Sequence, residues 1–138
     1  GTDGQKMSKS RGNSVPIRAT ADETVRLLAA ARTDSERFIG YDPKRRPEVA
    51  NLLLLTALCR DTSPEAVAAE IGAGGAAALK AAAADAVNDR FAAVRARRAA
   101  LAAEPGYLRR VLAAGNDKAG TIAETTLQAV RELMHQMY

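Results

Sequence analysis

Apolar residues recur at three- and four-residue steps along most of this chain, which is the period of an α-helix. No alternating apolar–polar run is long enough to indicate a β-strand. The pattern therefore predicts an all-α bundle of five or six helices behind a flexible N-terminal arm. The six predicted segments lie at about 21–32, 47–59, 63–71, 76–103, 107–114 and 117–136.

Local signals mark where several of these helices begin and end. Thr20 and Glu23 have the spacing of a capping box, in which a hydroxyl and a carboxylate each accept a backbone N–H at the helix start. Gly115-Asn116 is typical of a helix end and predicts a break between the last two segments.

The second predicted helix is apolar on nearly all sides over 49–59, which predicts a central, buried position. We expect the core of the bundle to contain Leu53, Leu54, Val87, Phe91 and Val94. The last helix is expected to bury an apolar face made of Ile122, Leu127, Val130 and Leu133.

Composition narrows the class of protein. The 138 residues suffice for one domain, and 47% of them are hydrophobic, with few aromatics. No uncharged apolar run approaches the roughly 20 residues of a membrane-spanning helix, so a membrane protein is excluded. The single cysteine, Cys59, rules out an internal disulfide, is expected to be a core thiol, and fits a cytoplasmic location.

The net charge of +4 comes from the N-terminal side of the chain. Residues 1–60 contain 11 Lys/Arg and 7 Asp/Glu, whereas residues 61–138 contain 9 of each. This excess is compatible with a polyanionic partner and equally with an ordinary soluble surface.

Residues 1–18 are rich in glycine, serine and basic side chains, which predicts a flexible polar loop. They contain Lys6-Met7-Ser8-Lys9-Ser10, followed by Gly12 and Asn13. Two ammonium groups three residues apart, with hydroxyls, free amides and glycine nearby, suit a loop that closes on phosphates. Composition alone also fits a solvated linker.

The string itself resembles the KMSKS nucleotide-binding loop of class I aminoacyl-tRNA synthetases. The wider loop, Gly4–Asn13, is similar to that of bacterial tryptophanyl-tRNA synthetases, whereas the related tyrosyl enzymes usually depart from Met-Ser in its middle. Further similarity to the tryptophanyl family follows in the same order at Thr33-Asp34, Tyr41–Pro43, Arg46–Leu53, Gly74–Lys80 and Gly115–Ala119.

The resemblance implies roles for the loop residues. In that family the loop closes over ATP, which is bound with Mg²⁺, during activation of the amino acid. Lys9 would meet the pyrophosphate and Lys6 would contact the triphosphate earlier in closure, so both are candidate catalytic residues. Ser8 and Ser10 would assist them, and the Met7 backbone would lie near the adenine.

The resemblance also divides the chain by function. Residues 1–18 would be the ATP loop and the tail of a nucleotide-binding domain whose His-Ile-Gly-His-type motif is absent from this sequence. Residues 19–138 would be the helical domain that binds the anticodon arm of tRNA(Trp). Tryptophan would bind to the absent domain, and the full enzyme would be a cytoplasmic homodimer. This chain alone is expected neither to aminoacylate tRNA nor to bind a cofactor tightly.

Candidate RNA contacts are arginines on the long helix and the helix after it: Arg90, Arg97, Arg98, Arg109 and Arg110. The alternative is a solvated helix face on which such arginines pair with Asp85, Asp89 or Glu104.

Two other polar residues, Asn51 and Asp34, are expected to have structural roles. Asn51 is expected to cap or crosslink the core, and Asp34 to cap a helix.

Three interpretations of the whole chain remain open at this point. One is the C-terminal portion of a tryptophan–tRNA ligase. Another is a truncated paralogue that acts as an RNA-binding or scaffolding helical module and uses the loop only as a basic arm. The third is a purely structural helical module.

Overall fold

The computed structural model describes residues 1–136, and within that range it is helical and contains no β-strand. This confirms the predicted all-α class. The described part contains five α-helices, which are α1 (Ala21–Ala29), α2 (Pro47–Arg60), α3 (Pro64–Ile71), α4 (Gly75–Ala102) and α5 (Pro105–Leu133). Two short 3-10 helices lie at Lys9–Arg11 and Gly72–Gly74.

The helix count is lower than the six predicted segments because α5 is continuous. The predicted break at Gly115-Asn116 is wrong, since α5 runs through both residues. Gly115 does not adopt the left-handed backbone that ends a helix. An interior glycine costs only about 0.5–1 kcal/mol relative to alanine, which is too little by itself to end a long helix.

The capping box at the start of α1 is confirmed. The Thr20 hydroxyl accepts the Glu23 N–H at 3.1 Å, and the Glu23 carboxylate accepts the Thr20 N–H at 2.8 Å. At the start of α3 the Ser63 hydroxyl accepts the Ala66 N–H at 3.1 Å. These local bonds satisfy backbone groups that a helix start leaves without partners.

Residues Gly1–Arg95 form one compact unit with a single core. Its largest fully buried side chains come from α1 to α4 and the segment before α2, and include Leu28, Ile39, Val49, Leu53, Val67 and Leu79. Loop residues 1–18 belong to this same unit, so the functional division predicted after residue 18 does not coincide with a boundary between compact units.

The predicted core is right in part. Leu53 and Val87 are buried, and Phe91 is half-buried against the core. Leu54 and Val94 were predicted wrongly, because they are 41% and 47% exposed. α2 is apolar on nearly all sides but packs on one side only, and the apolar stripe of α4 leaves the core beyond Phe91.

A second unit begins at Ala96 and contains the end of α4 and all of α5. Its described residues, up to Gln136, are exposed apart from the half-buried Leu101. The predicted burial on the last helix is therefore wrong for Ile122, Leu127, Val130 and Leu133, which are 42–83% exposed. The apolar stripe of α5 is clear in sequence but has no packing partner among the described residues of its own unit.

One stretch of the described chain, Pro64–Ala102, meets the length and hydropathy criteria for a membrane-spanning helix. The stretch contains the charged residues Glu70, Lys80 and Asp85, and its high hydropathy comes mainly from alanine. Four of its apolar side chains, Val67, Leu79, Ala83 and Val87, are buried in the core of the first unit.

Candidate functional site

The KMSKS segment ends in a short 3-10 helix, Lys9–Arg11. Ser8 stands at its N-cap in an extended conformation, and its carbonyl accepts the Arg11 N–H at 3.2 Å. Gly12 ends the turn with φ of +63° and donates its N–H to the Lys9 carbonyl at 3.3 Å. This positive φ is the conformation that favours glycine, which explains the residue type at position 12.

Asn13 lies behind this turn and is only 3% exposed. Its Oδ1 accepts the Ser8 N–H at 2.8 Å, and its Nδ2 donates to the Lys6 carbonyl at 3.2 Å and to the Asp3 carboxylate at 2.7 Å. The Asn13 carbonyl accepts the Thr2 N–H at 2.8 Å. Residues 2–13 therefore form a closed loop around one asparagine side chain.

This loop is joined to the helices at its base. The Arg32 N–H, just beyond α1, donates to the Thr2 carbonyl at 2.7 Å. The Arg32 guanidinium lies 3.5 Å from the carboxylate of Glu48 in the first turn of α2. A side chain at Gly4 would come within 3.1 Å of that carboxylate, and Gly4 also has a φ of +79°. The arm predicted to be flexible thus has fixed attachment points, and its mobility remains a prediction.

Both loop lysines are exposed to solvent. Among the residues that the structure describes, neither Lys6 nor Lys9 forms an ion pair. The hydroxyls of Ser8 and Ser10 are hydrogen-bonded to each other at 2.8 Å. The Ser8 amide is not one of the free amides expected of this loop, because it already donates to the Asn13 side chain. The ammonium groups of both lysines are therefore free to meet an anion.

The loop borders a cleft of about 540 Å³ that the sequence did not predict. Its walls are mostly apolar and include Val15, Leu52, Leu55 and Phe91. Asn51 also lies on this wall and is exposed, so the prediction that it caps or crosslinks the core is wrong. The reason is its place on α2, since it stands on the side of that helix that does not face the core.

Arg95 also lines the cleft and is not among the residues that the sequence predicts for the site. Its guanidinium donates to the Asn88 amide oxygen at 2.7 Å and to the Thr24 hydroxyl at 2.9 Å. The bond to Thr24 connects α4 to α1 near the cleft, whereas the bond to Asn88 lies within α4. The spacing of Thr24 and Arg95 in sequence gives no sign of the bond between them.

Asp34 does not cap a helix, which corrects the prediction. Its two carboxylate oxygens accept from the Arg46 guanidinium at 2.6 and 2.7 Å, and Arg46 also donates to the Phe38 carbonyl at 2.7 Å. Arg46 is buried. The guanidinium lowers the pKa of Asp34, chiefly through these hydrogen bonds. The pair holds the irregular segment between α1 and α2 in place, and residues 12 apart carry no local signal of it.

Cys59 is half-buried beside the core, as expected for a core thiol. Burial raises the pKa of this thiol. It is therefore a poor candidate for a reactive cysteine.

The arginine candidates differ in their surroundings. Arg90 lies in the first unit and pairs with Asp61 at 3.2 Å, which is not one of the carboxylates expected from sequence. In the second unit Arg97, Arg98, Arg109 and Arg110 are exposed. None of these four is in an ion pair within the described part of the chain.

Comparisons with known proteins agree with the resemblance of the loop to class I tRNA synthetases. Residues 1–92 match the family model of class I tRNA synthetases for tryptophan and tyrosine (W and Y). The tryptophan–tRNA ligase 1 of Streptomyces coelicolor is 38% identical over 125 residues, which are 88% of this chain and 37% of that protein. The tryptophan–tRNA ligase of Thermosynechococcus vestitus is 34% identical over 134 residues, which are 94% of this chain and 41% of that protein.

A solved structure extends the similarity to the fold. The crystal structure of tryptophanyl-tRNA synthetase from Campylobacter jejuni matches with a TM-score of 0.79 at 26% identity, over 98% of this chain and 42% of that one. The chain thus spans about two-fifths of the length of these relatives. With the family model covering two-thirds of its residues, the chain belongs to the class I tRNA synthetases of the tryptophan and tyrosine family.

Proposed function

We propose that this chain is the C-terminal portion of a tryptophan–tRNA ligase and that its KMSKS loop acts on ATP. The observation that carries the proposal is the loop itself, in which Lys6 and Lys9 are exposed, without ion pairs among the described residues, and attached to an ordered turn. Relatives that match over most of this chain are tryptophan–tRNA ligases, which favours tryptophan over tyrosine as the amino acid.

The proposed chemistry explains why lysines are needed. Tryptophan carboxylate attacks the α-phosphate of ATP, forms tryptophanyl-adenylate and displaces pyrophosphate. A terminal ribose hydroxyl of tRNA then takes the tryptophanyl group, and AMP leaves. Negative charge grows on the departing pyrophosphate. An ammonium that a closing loop brings to this charge stabilises the transition state more than the ground state.

Each loop residue has a place in this proposal. Lys9 meets the pyrophosphate, and Lys6 contacts the triphosphate earlier in closure. Ser8 and Ser10 contribute hydroxyls once their mutual hydrogen bond opens, and the Met7 backbone lies near the adenine. ATP is a substrate here and brings its own Mg²⁺.

The complete enzyme tests the choice of amino acid. Purified protein is assayed for ATP–pyrophosphate exchange with tryptophan or tyrosine as the only amino acid. We expect exchange that depends on tryptophan and is weaker with tyrosine by several orders of magnitude. Exchange with tyrosine alone, or with neither amino acid, would refute the proposal. Exchange with neither amino acid would also favour the truncated, RNA-binding paralogue.

We further propose that the helical part binds tRNA(Trp) through the exposed arginines Arg97, Arg98, Arg109 and Arg110 of the second unit. Arg90, paired with Asp61, is a weaker candidate. Backbone phosphates are the expected contacts, because these side chains are charged, long and free of carboxylate partners within the described residues. A cytoplasmic homodimer is the proposed form of the complete enzyme.

The RNA proposal predicts a specific loss of affinity. Arg97→Ala/Arg98→Ala should weaken tRNA(Trp) binding in a fluorescence-anisotropy titration and lower the salt dependence of log K by roughly two units of slope, one for each phosphate that is no longer neutralised. Arg131→Ala is the matched control, since Arg131 already faces Glu124 at 3.9 Å on α5. Equal affinities for all three proteins would contradict the assignment.

A further inference from the structure

We infer that Asn13 is a positioning residue that sets the main chain from which both loop lysines project. The inference rests on the proposed function, because it concerns how the same loop is prepared for ATP. Of residues 1–18, all of them described, Asn13 is the only buried one. A buried polar side chain inside an otherwise exposed loop requires hydrogen bonds, and Asn13 has three.

The bonds from this side chain hold the loop on both sides of Met7. One goes to the carbonyl of Lys6 and another to the amide of Ser8, the N-cap of the turn that contains Lys9. The main chain at Lys6 and the start of the turn at Ser8 are thereby tied to one rigid amide plane. The ammonium groups of Lys6 and Lys9 take no part in this network and stay free to meet phosphates.

The chemistry of the three partners accounts for asparagine at this position. The Ser8 N–H can only donate, while the Lys6 carbonyl and the Asp3 carboxylate can only accept. One side chain must therefore offer an acceptor and two donors, which the asparagine amide does. Aspartate would face two acceptors with no N–H to give, and alanine would leave the Ser8 N–H and the Lys6 carbonyl without this partner.

Preorganisation of this kind should appear in the rate of the chemical step. A misplacement of about 1 Å at a reacting group can lower a rate by about a hundredfold. We expect Asn13→Ala to lower kcat for tryptophan-dependent pyrophosphate exchange by roughly 30- to 100-fold, with KM for ATP changed by less than about threefold. This split arises because Lys9, which meets the departing pyrophosphate, acts mainly on charge that develops in the transition state.

A double-mutant cycle in the complete enzyme tests whether Asn13 acts through Lys9. If it does, Asn13→Ala should cost at least about fivefold less on a Lys9→Ala background than on the wild-type background. An equal loss on both backgrounds would overturn the inference, because a merely structural role would be additive. The cycle also separates two failures. A silent Lys9→Ala would refute the proposed function, whereas a severe Lys9→Ala with a silent Asn13→Ala would refute only the positioning role.

An exchange of partners provides the rescue test and guards against simple misfolding. Asn13→Asp should place two carboxylates together, at positions 3 and 13, and lower kcat as strongly as Asn13→Ala. Adding Asp3→Asn restores the contact between positions 3 and 13, although the Lys6 carbonyl still lacks a donor from position 13. The double variant should therefore recover at least about fivefold in kcat over Asn13→Asp without reaching the wild-type value. Asp3→Asn alone is the matched control and should stay within about twofold of wild type, since its amide oxygen can still accept from Asn13. A double variant no better than Asn13→Asp would overturn the inference.

Discussion

At the scale of single residues, the Asp34–Arg46 pair is expected to contribute to stability outside the apolar core. Arg46 is buried and bonded to one carboxylate and to the backbone of the segment before α2. Arg46→Met should lower the free energy of unfolding by about 2–3 kcal/mol. That lies below the roughly 3–5 kcal/mol of fully buried pairs, because the Asp34 side chain is 34% exposed. Urea denaturation at pH 7 measures this decrease in the free energy of unfolding. A decrease under about 0.5 kcal/mol would contradict the role assigned to the pair.

The same pair predicts a pH dependence. The pKa of Asp34 is lowered in the folded chain, so the unfolded chain binds its proton first as the pH falls. The pair's contribution to stability is complete above the unfolded pKa of about 4 and is lost as the pH falls through the lowered folded value. Urea midpoints between pH 7 and pH 2 should fall less steeply for Arg46→Met than for wild type. Parallel curves would show that Asp34 does not contribute.

At the scale of elements, the apolar stripe of α4 is buried in the core over its first part only. Leu79 and Val87 on this stripe are buried, but Phe91 is only half-buried and borders the open cleft. Phe91→Ala should therefore cost about 1.5–3 kcal/mol, less than the roughly 3–5 kcal/mol of a fully buried ring. Val94→Ala is the matched control at an exposed position and should cost under about 0.5 kcal/mol. The reverse order of the two losses would mean that the rotation of α4 is wrong.

The continuity of α5 gives a second prediction at this scale. If Gly115 lies inside the helix, Gly115→Ala should raise the helical circular-dichroism signal and stabilise α5 by about 0.5–1 kcal/mol. The contrast is Gly12→Ala, which should be destabilising because Gly12 has a φ of +63°. A destabilising Gly115→Ala would instead support the helix end that the sequence indicated.

At the scale of the whole molecule, the sequence predicts features that depend on neighbouring residues and does not predict features that depend on residues far apart in the chain. The capping box of Thr20 and Glu23 spans three residues, and the KMSKS string is contiguous, so both were readable. The Asp34–Arg46 pair, the bond of Arg95 to Thr24 and the cleft depend on residues brought together by folding. Periodicity located the stripes of α4 and α5 but could not show which parts of them meet a partner.

The central claim for the complete enzyme is that the loop acts on ATP through Lys9. The most direct measurement compares Lys9→Ala with Arg11→Ala in tryptophan-dependent pyrophosphate exchange. Both residues are exposed cations of the same 3-10 helix, so the pair controls for the loss of charge and for the turn. We expect Lys9→Ala to lower kcat by about a hundred- to a thousandfold and Arg11→Ala to change it by less than about threefold. A Lys9→Ala enzyme within about twofold of wild type would contradict the claim.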